Sequence, residues 1–390
     1  MTVIAAIYPP AGPPIFLSDT LTSVPGERTG RAAGPNGLLA RPRNTSGWQI
    51  HNLEQKNAIL NGKVYVAYCG SSFVAKSVVR RAARALEAIS DPTVEQVSAI
   101  FSAELDDLER HNTSILAAVL SEGKCNHLAF GSGFQTRALT DGTIVHANGS
   151  GANKVLDLFE EILRGREALR PHTYFNPIVW LNYLLTRLRG NRHHIDMSRA
   201  FGIVATQCCY ESLTAQIDQH FGGIIEIARA LPTGFEKFPS ATIAIELLSF
   251  HDGEADLYGG NYLNYHYVDD LLVYRRFGEI NREELTKVFE TDYWVASIHP
   301  LLRKVPATED QKACEAIAAR PLFSDADVEC TSWADLDDLG GAGRVTVAAP
   351  DRSRFRIERV DDKFFQIYRS PEYMKSLARR LGVSRVNVKG

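Results

Sequence analysis

Thr2 is the residue whose type and position could do the most chemistry in this chain. If Met1 is removed, which the small threonine side chain allows, Thr2 carries a hydroxyl and a free α-amine. A free α-amine titrates near pH ~8, so part of it is unprotonated at neutral pH and can take the hydroxyl proton, directly or through water. Thr2 is therefore a candidate nucleophile with its own base. Such chemistry also needs a cation near the amine, a carboxylate that holds the cation, and backbone N–H groups for an oxyanion.

The glycines, histidines and carboxylates elsewhere in the chain do not have the spacing of a phosphate-binding loop or of a metal site. The segment 70–77 follows a predicted strand and opens a predicted helix, as a phosphate-binding loop does, but Ala75 stands where the second glycine is required. The histidines and carboxylates at 193–196 and 251–256 fit no standard metal-ligand spacing. We therefore expect no metal and no cofactor.

Composition sets limits on the class of protein. The chain has 390 residues, of which 45% are hydrophobic and 23% are charged, as in a folded protein of one large or two smaller domains. The net charge of -3 gives no electrostatic reason to expect a nucleic acid or an anionic membrane as partner. No apolar run approaches the ~18 residues of a membrane-spanning helix, and the N-terminus lacks a signal-peptide pattern. The six cysteines are scattered, which favours reduced thiols and, with the other features, a cytoplasmic protein.

The order of the predicted elements indicates an α+β layered fold. Apolar alternation predicts an initial hairpin of strands 3–8 and 15–18, which places Thr2 and Asp19 at neighbouring ends. Further strands are predicted at 58–60, 64–69, 115–120, 127–130, 143–147, 224–228, 241–248 and 265–274, and helices at 73–89, 94–109 and between 152 and 218. Strands, then helices, then strands are typical of antiparallel sheets that are covered by helices.

The same pattern divides the chain into a main domain and an extension. We predict a main domain at 1–278, with a mobile loop at 25–48 that is rich in Gly, Pro, Arg and Asn, and a helical insertion at about 152–197. Residues 279–390 are predicted to form a mixed α/β extension of unknown role.

Two pieces of sequence near the N-terminus have a notable order and spacing. The chain opens with Thr2, a hydrophobic strand, a turn and a second strand that runs into Asp19. Lys56 then stands fourteen residues before Gly70, the glycine that ends the next predicted buried strand, in "KNAILNGKVYVAYCG".

Two later pieces complete the pattern. The sequence "HANGSGA" places Ser150 at the start of a predicted helix, and "DQHFGGIIEIA" places Asp218 four residues before a Gly-Gly pair. In these four pieces the chain resembles the proteasome β-subunit family of N-terminal nucleophile (threonine) hydrolases, which includes the peptidase subunits of bacterial ATP-dependent proteases. The resemblance implies that Ser150 and Asp218 hydrogen-bond to the amine and to the backbone of the nucleophile. Phe221 stands where the family usually has a serine, so one hydroxyl of that network is missing.

The resemblance also implies roles for the earlier residues. It makes Thr2 the nucleophile, Asp19 the anchor of Lys56, and the Gly70 N–H group the oxyanion donor. A second Gly-Ser-Gly, at 131–133, precedes a polar stretch and is interpreted as a β turn, although it leaves open an exchange of roles with the serine at 150.

The fold, substrate and partners implied by the resemblance follow from the family. The fold would be a four-layer αββα sandwich with insertions and a C-terminal α/β extension. The activity would be hydrolysis of an amide, most simply a peptide bond, in a homo-oligomer that works with an unfoldase ATPase. Two alternatives stay open: a catalytically inactive structural subunit that keeps Met1, and a hydrolase or acyltransferase of the same fold that acts on small amides.

Overall fold

The computed structural model describes the chain in several stretches. The described residues are 2–10, 12–25, 32–33, 39–42, 48–164, 216–217, 222–238, 240–280, 294–320, 328–335, 344–348, 355–359 and 365–388. They form three larger β-sheets, three small ones and six helices. Among these residues no helix has both the length and the apolar character needed to cross a bilayer.

The first sheet is antiparallel and contains the N-terminal hairpin. Its strands lie in the order β11 (Gln135–Ala138), β12 (Ile144–Asn148), β1 (Ile4–Tyr8), β2 (Ile15–Asp19), β14 (Ile225–Leu231) and β15 (Gly234–Lys237). Ile4 lies opposite both Ser18 and Asn148, and Asp19 lies opposite Ile225. The start of β1, the ends of β2 and β12, and the start of β14 therefore meet at one end of the sheet.

The second sheet is also antiparallel. Its strands lie in the order β10 (Lys124–Phe130), β9 (Ser114–Ser121), β8 (Val64–Cys69) and β7 (Asn57–Leu60), so that β7 is an edge strand. Asn61 and Gly62 connect β7 to β8 with positive φ angles of 43° and 75°, as a tight Asn-Gly hairpin turn requires.

A hydrophobic core joins the two sheets. Because side chains alternate along a strand, one face of each sheet supplies this core. Its buried members are Ile4, Ala6, Phe16, Tyr65, Ala67, Cys69, Leu116, Ala118, Leu120, Ala228, Ala230 and Phe235.

Helices pack on the remaining faces of the two sheets. Helices α1 (Ser72–Leu86), α2 (Val94–Ser102) and α3 (Leu105–Arg110) bury apolar residues against the face of the second sheet that carries Val64 and Val66. Helix α4 (Ala152–Arg164) contacts β12, and the outer residues of β1, Ala5 and Ile7, are also buried. The two sheets thus lie between α1–α3 on one side and α4 on the other.

The third sheet has seven strands and mixed directions. Its order is β19 (Trp294–Ile298), β18 (Leu271–Ile280), β17 (Glu254–Val268), β16 (Ser240–His251), β20 (Val328–Asp335) and β21 (Arg344–Ala348), with β24 (Val386–Val388) beside β17. Helix α5 (Ala307–Ala319) packs on β18, and α6 (Pro371–Leu381) precedes β24. The sheet combines strands from both sides of residue 278, the boundary expected from the sequence.

Three small sheets complete the description. They join β3 (Leu21–Pro25) to β6 (Trp48–Leu53), β5 (Leu39–Pro42) to both β4 (Ala32–Ala33) and β13 (Gln216–Ile217), and β22 (Phe355–Arg359) to β23 (Phe365–Arg369). Apart from β4 and β5, the interior of the loop expected at 25–48 lies outside the described residues, as does the insertion expected at 152–197 beyond α4.

Three expected elements differ from the structure. The helix expected at 94–109 is divided into α2 and α3. The strand expected at 265–274 is interrupted by a turn, in which Asp269 has a φ of 54°, a conformation that Asp tolerates better than most residues. The last two described residues before 218 pair with β5 as a strand rather than continue a helix.

Two histidines, one on each of the first two sheets, are in ring contact. His127 lies on β10 and His146 on β12, and their ring centroids are 4.0 Å apart. The ring of Tyr8 contacts both, and Thr136 Oγ1 lies 2.8 Å from His146 Nδ1. Burial lowers the pKa of both histidines, for His146 to about 4.

The histidine pair should make the protein sensitive to acid. Between pH 6.5 and 4 the two histidines bind protons in the unfolded state but much less in the folded state. The free energy of unfolding should therefore fall as the pH falls. His146→Gln should reduce this loss by about 1 kcal/mol, after allowance for solvent screening. Urea unfolding at pH 7 and pH 4.5 measures the effect, with His111→Gln at an exposed position as the control. An equal acid loss in both variants would contradict the prediction.

Candidate active site

The ends of four strands position the candidate residues. Thr2 precedes β1, Asp19 ends β2, Ser150 follows β12, and Gly222 precedes β14, so the register of the first sheet brings all four together. The second sheet contributes Lys56, which immediately precedes β7 and whose carbonyl accepts a hydrogen bond from Tyr68 N at 3.0 Å.

The ammonium group of Lys56 is surrounded by three oxygen atoms. Lys56 Nζ donates to Thr2 Oγ1 at 2.8 Å, to Asp19 Oδ1 at 2.8 Å, and to the backbone carbonyl of Leu21. An ammonium has three donors, and each of them has an acceptor here. The exposed fraction of Lys56 is 1%, and that of Thr2 is 3%. The cation therefore contacts the Thr2 hydroxyl where both side chains are buried.

Asp19 is held as firmly as the lysine. Its Oδ1 accepts a hydrogen bond from Val3 N at 3.1 Å, and its Oδ2 accepts one from Gly222 N at 3.2 Å. The residue is fully buried. The carboxylate thus links the backbone beside the nucleophile, the lysine, and the start of β14.

Burial changes the proton affinities of this pair. It lowers the pKa of Lys56, and the negative charge of Asp19 opposes that shift. It raises the pKa of Asp19, and the nearby ammonium and the two backbone N–H groups oppose that shift. Burial also raises the pKa of the Cys69 thiol to about 12, which leaves it protonated and a poor competitor for the role of nucleophile.

The backbone nitrogen of Thr2 contacts Ser150. Thr2 N donates to Ser150 Oγ at 3.1 Å, and Gly151 N donates to the carbonyl of Thr2 at 3.2 Å. Ser150 is exposed, whereas Thr2 is buried, so this side of the site opens toward solvent. Ser132 has a different place: its carbonyl accepts hydrogen bonds from Ser114 Oγ and Asn148 Nδ2.

Gly149 allows this close approach. Its φ is 97°, and a Cβ atom placed on it would lie 2.2 Å from the carbonyl oxygen of Thr2. Both the left-handed backbone and the short distance require a glycine.

Gly70 lies at the exposed end of β8, two residues beyond Tyr68. Its φ is 98°, and an added Cβ would lie 2.3 Å from the carbonyl oxygen of Asn112. Ser71 follows as the N-cap of α1, where its side chain accepts from Val74 N. The strand therefore ends beside the N-terminus of a helix, a place where backbone N–H groups face solvent.

One expected member of the site is not described, and neither is the residue that departs from the family pattern beside it. Asp218 and Phe221 lie outside the described residues, and the description resumes at Gly222. The structure thus joins Thr2, Asp19, Lys56 and Ser150 by hydrogen bonds. Gly70 follows β8, the strand that pairs with β7.

Some participants could not be recognised in the sequence. The carbonyl of Leu21 and the N–H of Gly222 act through the backbone, so their side chains give no signal. Thr20 is buried and its Oγ1 accepts from Ile224 N at 2.9 Å, which fixes the start of β14. Among the described residues no group of three or more His, Cys, Asp or Glu side chains could hold a metal ion.

Two comparisons with known proteins give no match. No protein-family model matches the chain, and no curated protein matches it significantly. The functional argument therefore depends on the geometry of the site.

Replacement of Gly149 should disrupt this geometry. Gly149→Ala should lower the free energy of unfolding by at least about 2 kcal/mol, because backbone strain and the contact with Thr2 add to each other. Gly123→Ala is a matched control, since Gly123 also has a positive φ, of 71°, but has no atom within 4 Å of an added Cβ. The control should lose about 1 kcal/mol from strain alone. Equal losses in urea unfolding would show that the approach to Thr2 is not tight.

Proposed function

We propose that this protein is an N-terminal threonine hydrolase that cleaves amide bonds, most simply in peptides, after Met1 has been removed. The contact between Lys56 Nζ and Thr2 Oγ1, at 2.8 Å and with Asp19 behind the lysine, carries the proposal. Two antiparallel sheets between layers of helices support the related proposal that the fold is the αββα sandwich of N-terminal nucleophile hydrolases.

A structural role alone explains the lysine poorly. Burial of an ion pair costs several kcal/mol of desolvation per ion, and a well-packed apolar pair is often as stable. The pair nevertheless lies against the hydroxyl of residue 2, whose α-amine would be free once one residue is removed. Perturbed ionisable groups around a nucleophilic side chain are typical of active sites.

The residues suggest the order of the reaction. Thr2 Oγ1 attacks the carbonyl carbon of the substrate and transfers its proton to the α-amine. The new bond from Oγ1 to the carbonyl carbon forms as the electron pair of the C=O double bond moves to the substrate oxygen, and the Gly70 N–H group donates a hydrogen bond to this oxyanion. The intermediate collapses, the C–N bond breaks, and the protonated α-amine gives its proton to the leaving nitrogen. Water then attacks the acyl ester and gives a proton to the same amine. The bond between the acyl carbon and Oγ1 breaks, and the amine returns the proton to Oγ1, which releases the acid and restores the Thr2 hydroxyl.

Lys56 supports these steps through its charge. Its ammonium stabilises negative charge that develops on Thr2 Oγ1 and lowers the pKa of the nearby α-amine, so that more of the amine is an active base at neutral pH. Ser150 would orient the amine through the contact that it makes with Thr2 N. Asp19 positions the lysine and does not touch the substrate.

Substitution of the nucleophile and the lysine tests the proposal. Thr2→Ala should lower the turnover of peptide amides by at least about a thousandfold, and Thr2→Ser should keep part of the activity, because it retains a hydroxyl. Lys56→Met alone would leave the Asp19 charge buried and unpaired, which costs about 3–5 kcal/mol of stability. The double variant Lys56→Met/Asp19→Asn removes both charges, so it should fold and still lose at least about a hundredfold in rate.

The controls separate lost chemistry from lost structure. Lys124→Ala, at an exposed position on β10, should leave the rate unchanged within about twofold. Melting temperatures of all variants show which are folded. Turnover that survives in folded Thr2→Ala protein would overturn the mechanism.

A further inference from the structure

A cavity of about 450 Å³ lies between the second and third sheets. Its walls come from the edge strand β7, from the turn between β17 and β18, and from the segment after β19. The lining residues are Asn57, Ala58, Ile59, Lys237, Tyr267, Asp269, Asp270, Pro300, Leu301 and Leu302. The volume is within the range of ~300–1,000 Å³ that is usual for ligand sites.

The register of β7 shows which backbone groups face this cavity. Tyr68 N donates to the carbonyl of Lys56, so Lys56 and Tyr68 form a hydrogen-bonded pair of the antiparallel ladder. Hydrogen-bonded and non-hydrogen-bonded pairs alternate, and therefore Ala58 also points its backbone groups toward β8. The N–H and C=O groups of Asn57 and Ile59 then point outward, away from β8, on the open edge of the sheet.

Among the described residues this edge is open only over a short stretch, because Gln55 N, just before β7, already donates to the carbonyl of His299 at 3.3 Å. Beyond β7, the carbonyl of Gly62 already accepts a hydrogen bond from Phe235 N at 2.8 Å. The carbonyl of Asn57 has only a long contact of 3.5 Å with Lys237 Nζ, which makes shorter bonds to Gln55 Oε1 and Glu226 Oε1. An unpaired strand edge is a template for another extended chain.

Asn57, one of the lining residues, has a buried polar atom without a partner among the described residues. Asn57 is 98% buried, since its exposed fraction is 2%. Its Nδ2 donates to Ser18 Oγ at 2.6 Å, whereas its Oδ1 has no hydrogen-bond partner within the described part of the chain. Buried acceptors without a partner are uncommon and costly, and this one belongs to the residue that begins the edge strand.

The charges of the lining favour a basic ligand. Asp270 forms ion pairs with Arg303, and Lys237 forms one with Glu226. Asp269 is exposed at the rim and forms no ion pair with any described residue. Pro300, Leu301 and Leu302 supply the apolar part of the lining.

We propose that this cavity binds an extended peptide segment with alternating apolar and basic side chains, which adds as a strand to the outer edge of β7. The backbone of the peptide would pair with Asn57 and Ile59. Its apolar side chains would contact the apolar part of the lining, and a basic side chain would reach Asp269.

The site is distinct from the catalytic contacts but is joined to them by the chain. Asn57 follows Lys56 directly, and Gln55 precedes it. The side chain of Gln55 donates to the carbonyls of Asp270 and Ile298 at 2.8 Å, which connects the lysine segment to the third sheet.

Peptide binding can be measured without any catalysis. The full-length Thr2→Ala protein is titrated with a fluorescent peptide of the repeat Lys-Val-Lys-Val-Lys-Val, acetylated and amidated at its ends, and with the same peptide N-methylated at every residue. Strand addition predicts saturable binding of the first peptide and at least about tenfold weaker binding of the second, because its N–H donors are gone. Hydrogen exchange of residues 57–60 should slow when the first peptide is bound.

Two matched aspartates test the charge at the rim. Asp269→Asn should weaken binding by at least about threefold, and Asn tolerates the positive φ of 54°. Asp252→Asn is the control, because Asp252 is an exposed residue with a φ of 44° in the turn at the other end of β17. The proposal is overturned if the peptide does not bind saturably, if the N-methylated peptide binds equally well, or if both aspartate variants weaken binding to the same extent. Because Thr2→Ala protein is used, none of these results depends on whether the protein is a hydrolase.

Discussion

The buried contact between a cation and a hydroxyl is the constraint on which the rest of the site depends. The Lys56 ammonium has three oxygen partners and the Asp19 carboxylate has three donors, which compensates for part of the cost of removing both charges from water. Loss of one partner would leave the other charge buried without compensation. The hydrogen bonds of this ion pair therefore fix the positions of β1, β2 and β7 relative to one another.

The arrangement of the sheets explains how distant parts of the sequence reach that point. Antiparallel pairing places the start of β1 beside the ends of β2 and β12, which brings Ser150 within 3.1 Å of the backbone nitrogen of Thr2. The hairpin of β7 and β8 supplies Lys56 at its start and Gly70 at its end. The third sheet then holds the lysine segment from outside, through the side chain of Gln55. The carbonyls of Asp270 and Ile298 are thus part of the environment of the site.

Local sequence patterns predict several of these strands and helices, because apolar periodicity and turn residues are visible in the side chains. They do not predict contacts that the backbone makes. The N-terminal hairpin, the strand that becomes β8 and the helix that becomes α1 follow from apolar periodicity and turn residues, with small shifts at their ends. The turn at Asp269 was not predicted, because apolar and aromatic residues continue on both sides of it. The carbonyl of Leu21 could not be predicted either, since any residue type has one. The pairing of β16 with β20 depends on contacts between residues far apart in the chain, which local patterns do not encode.

The most direct test of the account is the chemical state of Thr2. The wild-type protein is treated with a peptide epoxyketone, which can react with a hydroxyl and an amine that belong to the same residue, and intact mass and peptide mapping are then recorded. The account predicts a chain that has lost the mass of one methionine residue and carries a single adduct on Thr2, joined through both Oγ1 and the α-amine. A chain that retains Met1 and carries no adduct at Thr2 would contradict it and would favour a structural subunit without activity.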